Sequence, residues 1–149
     1  MENLHSTTPP NGASEHKLTL NNNIEETPLL APFIDSVAEE AGIDFATAMS
    51  LNLALEEAVV NVMQYAYPKG THGTVDIRAV AAGEMLKLII SDSGTPFDPT
   101  KKEVVDVTQD IETRQIGGLG IHLIREIMDS ISYEYANGKN VLTMCKKIK

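Results

Sequence analysis

The chain has 149 residues, 42% of them hydrophobic and 22% charged, which is enough for one domain with a real core and too apolar for wholesale disorder. Its 12 Lys+Arg against 21 Asp+Glu give a formal charge of −9. That argues against sequence-independent nucleic-acid binding and against docking on an anionic membrane. No apolar run approaches the roughly 20 residues of a transmembrane helix. The first residues carry neither the basic nor the apolar stretch of a signal peptide. The single cysteine, Cys145, cannot form an internal disulfide, and a reducing cytoplasm is the simple reading.

Residues 1–16 have no period, two prolines and many small polar residues, and they read as a disordered lead-in to a domain over 17–149. Lys17–Asn21 fits a first strand. A helix follows over Pro28–Ala41, with Thr27 as N-cap and Gly42 closing it. A second helix starts after Asp44, another N-cap, and runs to about Tyr67, where Pro68 and Gly70 stop it. Its apolar stripe is Ala48, Leu51, Leu55, Val59, Val62 and Ala66. Val75–Ala79 and Leu86–Ile90 alternate like two strands of a hairpin turning near Gly83. The weakly periodic stretch from Asp92 to about Gly117 is long enough to suggest a functional loop or lid. A third helix fits Leu119–Met128. Ile131–Tyr135 and Val141–Cys145 form a last hairpin around Asn137-Gly138. This order predicts an α+β fold: a two-layer α/β sandwich, a mostly antiparallel mixed sheet with helices on one face.

Three groups of residues carry the chemistry. Glu57 and Asn61 are one turn apart on the second helix and share a face. A carboxylate and an amide oxygen so placed can hold Mg²⁺ directly or through its waters. A plain solvated face gives the same pattern, and the spacing sets this face well away from the Leu51–Leu55–Val59 stripe. Asp92 has the strand parity of Leu86, Leu88 and Ile90, so its carboxylate points inward, where it needs a partner. An adenine amino group would satisfy it, and Gly94 lets something come close to the backbone. Asp-Ser-Gly is also ordinary turn chemistry. Gly117-Gly118-Leu119-Gly120 opens a helix, and free N–H groups there form an anion site. No Lys-Ser/Thr follows, so it is not a Walker A loop, and no strand runs into it as in the dinucleotide fingerprint.

The order of these groups resembles that of the GHKL ATPases, the group of gyrase, chaperone, histidine-kinase and mismatch-repair ATPases. Within that group the chain is most similar to the bacterial anti-sigma-factor serine/threonine kinases. The stretches that carry the resemblance are EEAVVNVMQYAY (56–67), DSGTPFDP (92–99), GGLGIHLIREIMD (117–129) and NGKNVLTMCK (137–146).

The resemblance implies the Bergerat-type ATP-binding fold, with ATP and Mg²⁺ as cofactors. Glu57 would be the general base, Asn61 the Mg²⁺ ligand and Asp92 the acceptor for the adenine amino group. Gly94 would give room for the base. Gly118, Leu119 and Gly120 would carry the phosphates, residues 98–116 would form the lid, and Thr143 would help hold the base through water. The implied activity is phosphorylation of a small anti-anti-sigma (antagonist) protein, with a sigma factor as the rival partner and a homodimer formed through the sheet. An ATP-dependent binding module without phosphoryl transfer is the alternative. The chain departs from the family at Tyr65, where a His is common, and at Ile116, where a basic residue often precedes the phosphate glycines; Arg114 is the nearest cation. His122 reads as a helix surface residue.

Overall fold

The computed structural model describes residues 4–7, 14–68, 70–101 and 120–148. Six strands form one sheet: β1 (Leu4–Thr7), β2 (Ser14–Asn21), β3 (Thr74–Ala82), β4 (Met85–Asp92), β5 (Ser130–Ala136) and β6 (Lys139–Lys147). Their order is β1-β2-β3-β4-β6-β5, and every pairing is antiparallel. The parallel component of the expected mixed sheet is therefore absent among the described residues. Three helices, α1 (Leu30–Ala41), α2 (Phe45–Tyr65) and α3 (Gly120–Ile127), complete an α+β fold. None of the described helices is long and apolar enough to cross a membrane.

Strand alternation decides what each face buries. Leu18 and Leu20 of β2, Val75, Ile77 and Ala79 of β3, Leu86, Leu88 and Ile90 of β4, and Leu142 and Met144 of β6 are all buried in one cluster with the helices. Register sets them in transverse rows. Leu20, Val75, Asp92 and Asn140 form one row, so two polar residues finish a line that begins apolar.

The caps explain most boundaries. Asp44 has extended backbone and accepts from the Thr47 N–H at 2.7 Å, which starts α2. Gly42 ends α1 in the left-handed region, at φ 71°. Asn137 and Gly138, at φ 55° and 75°, make the two-residue turn between β5 and β6.

Three expectations need correction. Thr27 is not an N-cap. Ile24–Leu29 is a 3-10 helix containing Pro28, capped by Asn23, and α1 begins only at Leu30. The Thr27 hydroxyl instead donates to the Ile24 carbonyl at 2.8 Å. The first strand starts at Ser14 rather than Lys17. Leu4–Thr7, inside the stretch expected to be a disordered lead-in, pairs with β2 as an edge strand.

Candidate functional site

The buried polar residues among those described are His16, Asn61, Asp92 and Asn140. His16 stands apart, on β2, with its Nε2 3.2 Å from Glu40 of α1. The other three lie on α2, at the end of β4 and at the start of β6.

Asn61 is 2% exposed, so the solvated face expected for it is not what the structure has. The reason is tertiary. Besides the stripe facing the sheet, α2 buries Ala54 and Ala58, small residues on the flank that Asn61 shares, and α1 and α3 both pack on this helix. Asn61 Nδ2 donates to the Glu57 carbonyl at 3.0 Å. Its Oδ1 is enclosed and has no hydrogen-bond partner among the described residues. An orphaned buried acceptor costs about 1–3 kcal/mol, and such an atom in a native fold calls for an explanation. A hard cation favours an amide oxygen of this kind. Glu57, one turn earlier, is half-buried, and Glu56 beside it is exposed.

Asp92 ends β4 and is buried. Its Oδ1 accepts from the Gly94 N–H at 2.8 Å and from Asn140 Nδ2 at 2.9 Å. Desolvation pushes its carboxyl above the ordinary value, and the bonds from Asn140 and Gly94 oppose that rise.

The loop after Asp92 is tied down at nearly every residue. The Ser93 N–H donates to the Tyr67 hydroxyl at 3.1 Å, and the Thr95 N–H donates to the Ala66 carbonyl at the end of α2 at 2.6 Å. Asn140 takes the Phe97 N–H on Oδ1 at 2.9 Å and gives an Nδ2 proton to the Thr95 carbonyl at 2.9 Å. Farther along, Arg125 of α3 donates to the Thr100 carbonyl at 2.8 Å. Tyr65 stacks on Phe97, with ring centroids 5.2 Å apart and planes at 26°. The departure at Tyr65 is thus an aromatic clamp on the loop.

Gly94 has a local reason of its own. A Cβ built there would lie 2.4 Å from the Ala66 carbonyl oxygen, so only glycine lets the loop meet the helix end. Gly94→Ala should destabilise the fold by about 1–3 kcal/mol, the usual cost of forcing extra volume into a packed site. Urea unfolding reads this directly, and an unchanged midpoint would mean that the loop moves aside freely.

Not every expected residue joins the group. Thr143 pairs with Ile89, whereas Asn140, Leu142 and Met144 are the buried residues of β6. Thr143 therefore projects from the sheet face opposite Asp92. Gly118 and Leu119 lie outside the described residues, as do Arg114, Ile116 and the lid beyond residue 101. Gly120 is the first residue of α3, and His122 is half-buried in its first turn. Asn140 is the residue the sequence reading missed.

Two cavities, of about 770 and 370 Å³, lie near the end of α2, around His72, Thr71 and Tyr67. Glu57, Asn61 and Asp92 line neither, but Ser93, Gly94 and Thr95 of the loop after Asp92 line the smaller one. No group of three His, Cys, Asp or Glu placed to hold a metal occurs among the described residues.

The arrangement joins an enclosed amide oxygen and a half-buried carboxylate on one helix to a buried carboxylate held by a braced loop. Residues 20–146 match the histidine kinase-like ATPase domain. The chain is 31% identical over 113 residues to the serine-protein kinase RsbW of Listeria monocytogenes, covering 73% of this chain and 72% of that protein. It is 29% identical over 130 residues to the serine-protein kinase RsbW of Staphylococcus aureus, covering 84% and 81%. With its α+β fold and a match that runs over residues 20–146, this chain belongs to the histidine kinase-like ATPase domain family.

Proposed function

We propose that this chain binds Mg-ATP and transfers the γ-phosphoryl group to a serine or threonine hydroxyl of a small partner protein of the anti-anti-sigma type. The observation that carries the reading is the enclosed, unpartnered Asn61 Oδ1, one turn beyond Glu57 on α2. The similarity to serine-protein kinases supports the choice of acceptor.

On this reading Asp92 accepts a hydrogen bond from the adenine amino group, and the braced loop holds its carboxylate in place. Asn61 Oδ1 would be the protein ligand of Mg²⁺, which supplies charge neutralisation to the phosphates when bound. Glu57 takes the proton of the acceptor hydroxyl as the new oxygen–phosphorus bond forms; the bond from the γ-phosphorus to the bridging oxygen breaks and ADP leaves. Such transfer depends mainly on positioning and charge, so few side chains suffice. Gly118, Leu119 and Gly120 would receive the phosphates at the start of α3. A sigma factor would compete for the same protein, in the cytoplasm, and the sheet would serve a homodimer.

A second reading, an ATP-loaded switch without transfer, draws on Ile116 standing where the family often has a cation. Both readings require nucleotide. Mg-ATP at 100 times its Kd should stabilise the native state by about 2.7 kcal/mol, seen as a higher melting temperature. Superimposable melting curves with and without Mg-ATP and Mg-ADP would end both. Labelled ATP with the antagonist-like proteins of the same genome separates them: label on the partner supports the kinase, and partner binding without label supports the switch.

A further inference from the structure

We propose that Asn140 is the positioning residue that sets adenine-over-guanine preference, by committing Asp92 to act as an acceptor. The inference rests on the nucleotide reading above and adds to it a residue that never touches the base.

Asn140 sits directly across from Asp92 in the β4–β6 register and is buried. A side-chain amide has two protons to give and two lone pairs to fill, and here all four are used. Nδ2 donates to Asp92 Oδ1 and to the Thr95 carbonyl, both at 2.9 Å. Oδ1 accepts from the Phe97 N–H and from the Tyr133 hydroxyl. The orientation is forced: a flipped amide would set its oxygen against two acceptors and its protons against two donors. Asp92 Oδ1 therefore faces two donors, Asn140 Nδ2 and the Gly94 N–H, and no acceptor. Oδ1 can only accept, and any proton on this carboxyl must ride on Oδ2.

The protonation state of Oδ2 then decides the base. Adenine presents an amino donor where guanine presents a carbonyl acceptor. An ionised Oδ2 can accept from the first and repels the second, whereas a protonated Oδ2 can donate to guanine. Burial pulls Asp92 toward protonation, and among the described residues no cation pairs with it to resist. The titratable neighbours are Tyr67, just past α2, and Tyr133 from β5, with Asp98 of the loop acting on Tyr133. None of them carries positive charge. The two donors on Oδ1 oppose that pull, and one of them is a side chain that mutation can remove.

Asn140→Asp is the informative variant. It keeps the shape and the acceptors for Phe97 and Tyr133, and it turns the donor facing Asp92 into a second carboxylate. Two carboxylates in hydrogen-bond contact share a proton rather than both ionising. Affinities for non-hydrolysable ATP and GTP analogues are measured from roughly pH 5.5 to 8.5, with Mg²⁺ present.

The parent should favour ATP throughout. Asn140→Asp should lose ATP affinity by roughly 10- to 100-fold near neutral pH, as expected for a lost hydrogen bond to a charged group. Its ATP:GTP ratio should fall with it and climb again as pH rises. Asn140→Leu removes the donor without adding charge, should shift the ratio in the same direction, and serves if Asn140→Asp does not fold. A site that is merely loosened weakens both nucleotides alike and leaves the ratio flat with pH; that result, or a parent that binds ATP and GTP equally, overturns the proposal. A parent that binds no nucleotide removes the underlying reading instead.

Discussion

Glu57→Gln should retain Mg-ATP affinity and lose phosphoryl transfer by ~10²- to 10⁴-fold, the usual worth of a general base. The substitution is nearly isosteric and removes only the ability to take a proton. It leaves the Glu57 backbone carbonyl where it is, and that carbonyl receives the Asn61 amide at 3.0 Å, so Asn61 Oδ1, the proposed Mg²⁺ ligand, keeps its aim. Asn61→Ala should behave differently. It deletes the enclosed Oδ1 itself, and Mg²⁺-dependent affinity and transfer should fall together. Calorimetry with Mg-ATP and label transfer to the partner protein separate the two variants. Transfer at the parent rate by Glu57→Gln would remove Glu57 from the chemistry.

Asp92 carries the second large effect, and its two obvious variants should part company. Asp92→Ala should weaken ATP by roughly 10- to 100-fold, because a hydrogen bond to a charged acceptor is lost. Asp92→Asn should also lose ATP, since an amide nitrogen would meet the adenine amino group donor to donor. Yet Asp92→Asn should make the ligand-free protein more stable near neutral pH. Desolvation raises the Asp92 carboxyl in the folded state above its unfolded value. Below the unfolded value both states are protonated and there is no penalty. As pH rises through the folded value, the native protein holds a buried charge that the unfolded chain would hydrate, and stability is lost. Asn can keep Oδ1 for Gly94 and Asn140 and removes that charge. Urea unfolding near neutral pH and again below the carboxylate range should show the advantage at the higher pH and its loss at the lower. An Asp92→Asn protein that is less stable than the parent near neutral pH would mean that the carboxylate is already compensated.

Much of this site was legible in the residues, and the gaps have identifiable causes. The parity of Asp92 with Leu86, Leu88 and Ile90 correctly announced a buried carboxylate, because strand alternation is a local rule. Asp44, Gly42 and Asn137-Gly138 marked their boundaries through backbone chemistry that needs no tertiary contact. The burial of Asn61 was not readable from one helix, since it depends on neighbours that arrive from elsewhere in the chain. Asn140 was missed for a smaller reason. A last strand over Val141–Cys145 leaves Asn140 in the turn, and the role of Thr143 at the base is what the resemblance implies. Beginning the strand at Lys139, as the structure does, brings Asn140 into it, in phase with Leu142 and Met144. The phosphate glycines and the lid beyond residue 101 lie outside the described residues, and their roles rest on the resemblance.

The bond from Thr95 to the Ala66 carbonyl makes α2 a measuring rod. On the proposed reading, the loop that follows the base-binding Asp92 is pinned to the C-terminal end of this helix, and the Mg²⁺ ligand Asn61 stands on its shaft. Ala66 and Asn61 are five residues apart in sequence, about 7.5 Å along the axis at the helical rise. The separation between these two points of grip is thus set by helical backbone. A tilt of α2 carries both grips together and preserves their spacing.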